Sequence, residues 1–134
     1  MIVKVCGVRT AAIAECAVDA GADWVGVVLE PRSPRYAGDA EVEAVRRTLA
    51  GRADLIGVLV EPSAERCREL TLRHRLDAVQ LHGRVDPGVV SDIDVPVIRG
   101  INPDCPDDAF TDGWWPDCLL LLDSAPRAAG ALPG

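Results

Sequence analysis

The chain has 134 residues, 49% of them hydrophobic and 26% charged, enough to bury one core as one domain. Its net charge of −7, with the arginines scattered, argues against a nucleic-acid or anionic-membrane surface, because neutralising phosphates needs clustered Lys and Arg. No stretch approaches the ~18 apolar residues of a membrane span, and Met1-Ile2-Val3-Lys4 leads straight into a strand instead of a signal peptide, which reads as a cytoplasmic protein.

Ile2–Cys6 is the first apolar run of strand length. Thr10 is then placed to cap a helix from Ala11 to Asp19, with Gly21 as its left-handed stop. Trp24–Leu29 is the second run. Asp39 is placed to cap a second helix, in which Val42, Val45 and Leu49 share one face while Glu41, Glu43, Arg46 and Arg47 face water; Gly51 ends it. After the third run, Leu55–Val60, Ser63 caps a helix whose Cys67 and Leu70 point inward. His74, within Leu72-Arg73-His74-Arg75, reads as a surface residue. Asp77–Leu81 and Val95–Arg99 are the fourth and fifth runs. Pro87, Pro96, Pro103 and Pro106 crowd the crossovers around them and leave room for only short helices. Trp114 and Trp115 read as a surface pair covering the sheet, ahead of the sixth run, Cys118–Leu122. From Pro126 onward the sequence has no period and reads as a loose tail.

The runs recur every ~20 to 30 residues, the length of one strand-helix unit. They are nearly continuous in Val, Ile and Leu, as in strands covered on both faces, so an α/β fold of about six βα units with parallel strands follows. This pattern leaves two architectures open, a doubly wound open sheet and an incomplete barrel, because both are right-handed βα chains. A dinucleotide fingerprint would favour the open sheet. The first turn reads Cys6-Gly7-Val8-Arg9-Thr10, without that fingerprint and without a P-loop.

The five cysteines Cys6, Cys16, Cys67, Cys105 and Cys118 form no CxxC pair and leave an odd count, which argues against a disulfide framework or a zinc site. A free cysteine is most often a buried small hydrophobe, but Cys6 stands where a strand ends, on the face where parallel βα folds place their sites. A thiol titrates at about 8.5, so acting near neutrality needs positive charge or donors beside it. Asp123 follows four leucines; a low dielectric there would favour the protonated carboxyl and let it donate. Arg35 belongs to the loop after the second run, with Pro34 fixing the backbone before it. Gln80 and His82 end the fourth run, His82 reading equally as a polar strand end or as a donor to the site.

Taken together, Lys4-Val5-Cys6-Gly7, Ser33-Pro34-Arg35-Tyr36, Gln80-Leu81-His82-Gly83 and Leu119-Leu120-Leu121-Leu122-Asp123-Ser124 resemble the phosphoribosylanthranilate isomerase family. The resemblance implies an incomplete (β/α)8 TIM barrel, with residues 1–134 as a single partial domain. It implies an Amadori rearrangement in tryptophan biosynthesis, from N-(5-phosphoribosyl)anthranilate to 1-(2-carboxyphenylamino)-1-deoxyribulose 5-phosphate, with no metal or cofactor and a small-molecule substrate as partner. Carried onto this sequence, Cys6 is the base that takes the C2′ proton and Asp123 the acid that protonates the furanose oxygen. Arg35 forks onto the anthranilate carboxylate, and Gln80 and His82 bind substrate.

The family pattern has two further strands, with phosphate-binding loops, that these residues do not contain; Gly130-Ala131-Leu132-Pro133-Gly134 reads as a degraded counterpart of one loop. Such barrels commonly run to ~250 residues. In a flat six-stranded sheet the first and last strands are about five spacings of ~4.8 Å apart, so Cys6 and Asp123 would stand roughly 24 Å from each other. Closure then calls for a homo-oligomer or a complementing chain. Two alternatives follow from the missing strands: a non-catalytic remnant or assembly subunit, and a specialised-metabolism enzyme acting on a related non-phosphorylated substrate.

Overall fold

The computed structural model describes residues 1–86, 88–102 and 118–123. Pro87, Pro103, Cys105, Pro106, Trp114, Trp115, Ser124 and the tail from Pro126 to Gly134, with the roles expected of them, lie outside the described residues. The elements run β1 (Lys4–Cys6), α1 (Ala11–Asp19), β2 (Trp24–Val28), α2 (Asp39–Leu49), β3 (Asp54–Val60), α3 (Ala64–His74), β4 (Ala78–His82), α4 (Gly88–Ser91), β5 (Val97–Ile101) and β6 (Leu119–Leu122). All six expected strands are present, with small shifts at their ends. β1 begins late because the Asp23 carboxylate accepts the Val3 N–H at 2.8 Å. β4 begins after Asp77, whose carboxylate is occupied by the Leu55 N–H at 2.7 Å and by Arg46 at 2.5 Å. That pair also corrects the reading of Arg46 as a purely solvated residue.

Local chemistry sets the helix starts. Thr10 Oγ1 accepts the Ile13 N–H at 3.3 Å and Ser63 Oγ accepts the Arg66 N–H at 3.2 Å, both as expected of N-caps. The second cap is a correction: Gly38, not Asp39, occupies it, and Glu41 reaches back to accept the Gly38 N–H at 2.8 Å. Asp39 instead opens the helix, where its charge complements the macrodipole. Val42, Val45 and Leu49 are fully buried. The only helix in the described part of the fourth crossover is α4, of four residues.

The sheet order is β1-β2-β3-β4-β5-β6, with every neighbouring pair parallel. A doubly wound sheet reverses its order at a switch point; this one does not, so it has the single winding of a (β/α)8 barrel. Packing agrees. Val25, Val27, Leu55, Leu59, Val79, Leu81 and Val97 pack with Ala14, Val45, Leu49, Cys67 and Leu70 of the helices in one core, while Trp24, Ile56, Ala78 and Ile98 form a separate cluster on the opposite face. The helices therefore cover one face, and the other is the barrel's inner wall.

Two readings of burial are corrected. His74 is buried, on the same α3 face as Cys67 and Leu70, because positions i, i+3 and i+7 align on a helix. Its Nε2 lies 3.4 Å from Asp39. Burial is the main influence and holds its imidazole below the usual 6.5; Arg73 and Arg66 act in the same direction, Asp39 and Glu43 against it. A folded value below the unfolded one means that the stabilisation is complete above the unfolded value and is lost as pH falls through the folded one. Between about pH 7.5 and about pH 5, the urea midpoint of the wild type should therefore fall relative to that of His74→Leu. Parallel pH dependences in the two proteins would contradict this.

The second correction concerns β6, expected to be a dry strand. Leu119, Leu120, Leu121 and Leu122 are 52%, 52%, 37% and 67% exposed. Burial needs neighbours on both sides, and among the described residues β6 is the last strand of the order and pairs only with β5.

Candidate active site

Parallel strands project paired residues to the same side. The pairings Lys4 with Trp24 and Cys6 with Gly26 put Lys4 and Cys6 on the inner face with Trp24. The pairings of Ile56 with Ala78 and Val58 with Gln80 put Ala78, Gln80 and His82 there as well. Ile98 pairs with Leu119 and Gly100 with Leu121, so Asp123, two residues on, follows on the same side. Cys6 and His82 end their strands, and Asp123 directly follows its own. Cys6, His82 and Asp123 thus reach the C-terminal rim of the inner wall, where barrels of this kind place their chemistry, with Gln80 one step below His82 on the same wall.

On the β1 side, the Cys6 thiol and the Lys4 ammonium both lie against bare backbone. A Cβ on Gly26 would sit 2.9 Å from Cys6 Sγ and 2.9 Å from Lys4 Nζ. The thiol and the ammonium are therefore at most about 6 Å apart, within reach of a direct electrostatic influence. Gly7 turns left-handed at φ +80°, and a Cβ there would meet Arg35 Cδ at 3.0 Å, so the Arg35 stem crosses the turn that follows Cys6. The loop is fixed by its own bonds: Ser33 is buried, Ser33 Oγ accepts the Arg35 N–H at 3.2 Å, and the Ala37 N–H returns to Val28 O at 2.9 Å.

On the other side, His82 is 3% exposed, with Nδ1 3.9 Å from Asp123 Oδ2 and Nε2 2.5 Å from Gln80 Nε2. The Gln80 amide thus pairs with His82 Nε2 and leaves Nδ1 as the ring nitrogen that faces Asp123. The Asp123 N–H bonds to Ile101 O at 2.8 Å. The candidates thus form two groups, Cys6 with Lys4 and Arg35, and Gln80 with His82 and Asp123, carried toward opposite margins of the sheet. Among the described residues no three His, Cys, Asp or Glu side chains are grouped to hold a metal ion, and no helix is long and apolar enough to cross a membrane.

Sequence reading alone missed Gly26, Arg99 and Gly100. Arg99 is a charged residue inside an apolar run and is followed directly by glycine, a signal that could have drawn notice.

The family model of N-(5′-phosphoribosyl)anthranilate isomerase matches residues 3–132. The chain belongs to this family. It is 34% identical over 138 aligned residues to the N-(5′-phosphoribosyl)anthranilate isomerase of Azorhizobium caulinodans, covering 98% of this chain and 60% of that protein. It is 38% identical to that of Myxococcus xanthus, covering 98% and 61%. The chain therefore spans about three fifths of these isomerase-family relatives. Among solved structures, the phosphoribosyl anthranilate isomerase of Thermotoga maritima matches with a TM-score of 0.84 at 28% identity, over 98% of this chain and 66% of that one. A phosphoribosyl anthranilate isomerase in complex with reduced 1-(o-carboxyphenylamino)-1-deoxyribulose 5-phosphate matches with a TM-score of 0.82 at 28% identity, over 93% and 66%. The six strands thus follow the curl of the isomerase barrels, which makes the flat-sheet separation of roughly 24 Å between Cys6 and Asp123 an upper bound.

Proposed function

We propose that the chain acts as an N-(5′-phosphoribosyl)anthranilate isomerase, a single partial barrel domain working in the cytoplasm on a small-molecule substrate. The observation that carries the reading is that a thiol with a guanidinium beside it, and a His–Asp pair toward the other margin, stand on the C-terminal rim of one inner wall, in a family whose reaction needs one base and one acid. Asp123 gives a proton to the furanose oxygen, which opens the ring to an iminium. Cys6 as thiolate then takes the C2′ proton, and the electron pair of that C–H bond moves to neutralise the iminium. Tautomerisation of the resulting enolamine gives the aminoketose. The rearrangement is redox-neutral overall. Lys4 is the cation beside the thiol, and Arg35 grips the anthranilate carboxylate. Gln80 and His82 contact substrate, with His82 Nδ1 turned to Asp123.

The direct test is conversion of N-(5′-phosphoribosyl)anthranilate by the purified chain. Turnover abolished by Cys6→Ala supports the reading; turnover unaffected by it removes the assignment. The Arg35 role has its own test. A fork onto a carboxylate is poorly replaced by an ammonium, so Arg35→Lys should weaken binding of anthranilate-type ligands roughly tenfold or more, with little change in melting temperature. Equal affinity of the wild type for carboxylate and carboxamide analogues would contradict the clamp.

One observation favours a second reading, a non-catalytic subunit of an assembly: the leucines of β6 are exposed, and among the described residues that strand has a neighbour on one side only, leaving an edge that another chain can cover. A crystal structure among the matches describes monomers generated from a dimeric isomerase of this family, so association between copies has a precedent in a relative.

A further inference from the structure

Arg99 lies on the helix-covered side of β5 and is 4% exposed. Its Nη1 donates to Leu81 O at 3.1 Å and to Gly100 O at 2.5 Å, and its Nη2 to Gly83 O at 2.7 Å. Leu81 and Gly83 are the residues on either side of His82. One guanidinium therefore holds the backbone before and after the histidine. The next residue, Gly100, faces the inner wall, and a Cβ there would sit 2.6 Å from His82 Nδ1 and 2.8 Å from Nε2. The imidazole lies flat on glycine backbone that no other residue type would leave open. A buried cation is costly unless its donors are used; Nη1 and Nη2 are used to fix a turn at the rim of the proposed site.

We propose that Arg99 and Gly100 are positioning residues for His82. Arg99 clamps the backbone from the helix side, Gly100 gives the ring its floor on the inner side, and together they aim Nδ1 at Asp123. The inference rests on the isomerase reading only for what the aimed histidine does. The placement itself is tested without turnover.

The test is nitrogen-detected NMR of the imidazole rings. The chain has two histidines, His74 and His82, and a His74→Gln spectrum assigns them. In the wild type the neutral His82 ring should show one dominant tautomer. Gly100→Ala should displace the ring, moving the His82 resonances and its tautomer ratio while leaving those of His74 in place; Arg99→Met should do the same. Arg99→Met leaves three carbonyls without their donor, so if it does not fold, Arg99→Lys replaces it, since an ammonium cannot span both carbonyls as the fork does. Unchanged His82 resonances in the folded variants would overturn the proposal. In the isomerase assay, a ring displacement of ~1 Å should lower kcat about 100-fold with little change in KM. A moved His82 spectrum with full turnover would sustain the positioning and count instead against His82 in the isomerase site.

Discussion

Cys6→Ala and Asp123→Ala are each expected to lower isomerase turnover at least ~100-fold, the low end of what a positioned general base or acid contributes. The size of the effect follows from the chemistry. Ring opening is slowed when the ring oxygen has no positioned donor, and the step that follows it is slowed when the C2′ proton has no positioned acceptor. The fold should survive both changes, because neither side chain is in the packed core: Cys6 is half-buried and the Asp123 side chain is 22% exposed. Asp123→Asn sharpens the test, since it keeps the shape and hydrogen-bonding reach while removing the acid. Steady-state kinetics beside far-UV circular dichroism decide the matter. A variant that keeps most of the wild-type turnover would show that the residue it lacks is not the base or acid.

The second large effect is on association. The four β6 leucines carry apolar surface that contributes ~25 cal/mol per Å² only when covered, and the edge of the same strand, without a neighbour among the described residues, is a template for another strand. The 134-residue chain by itself should therefore associate as its concentration rises. Leu120 and Leu122 alternate with the inward Leu119 and Leu121, so placing lysines at both should suppress association and spare the inner wall. Sedimentation velocity across a wide range of concentrations measures this. A compact monomer at every concentration that also turns over substrate would contradict the account, because it would mean that six strands close around the site unaided.

The strands were legible because their near-continuous Val, Ile and Leu state both length and double coverage, and Thr10 and Ser63 cap where their side chains allow. The direction of winding was not legible from periodicity. It depends on which strand pairs with which, and only the sheet order and the two separate cores reveal it. Cys6, Arg35, Gln80, His82 and Asp123 stand out as candidates because each lies in a short local motif. Gly26 and Gly100 could not, since their role is the space they leave for side chains of neighbouring strands, and neither could Arg99, whose partner Leu81 is 18 positions away. His74 was misplaced because its polarity outweighed a helical spacing that pointed inward. The leucines of β6 misled for the opposite reason: composition states what a residue prefers, and an edge position decides whether it is covered.

The most direct measurement is amide chemical-shift mapping of the chain titrated with reduced 1-(o-carboxyphenylamino)-1-deoxyribulose 5-phosphate, the molecule bound in one of the matching structures. The account predicts saturable shifts at Cys6, Gly7, Arg35, His82, Gly83 and Asp123, on both margins of the sheet at its C-terminal rim. It predicts none at the opposite end, around Gly51, Asp54 and Asp77. Shifts confined to that opposite end, or no saturable shift at the rim, would contradict it.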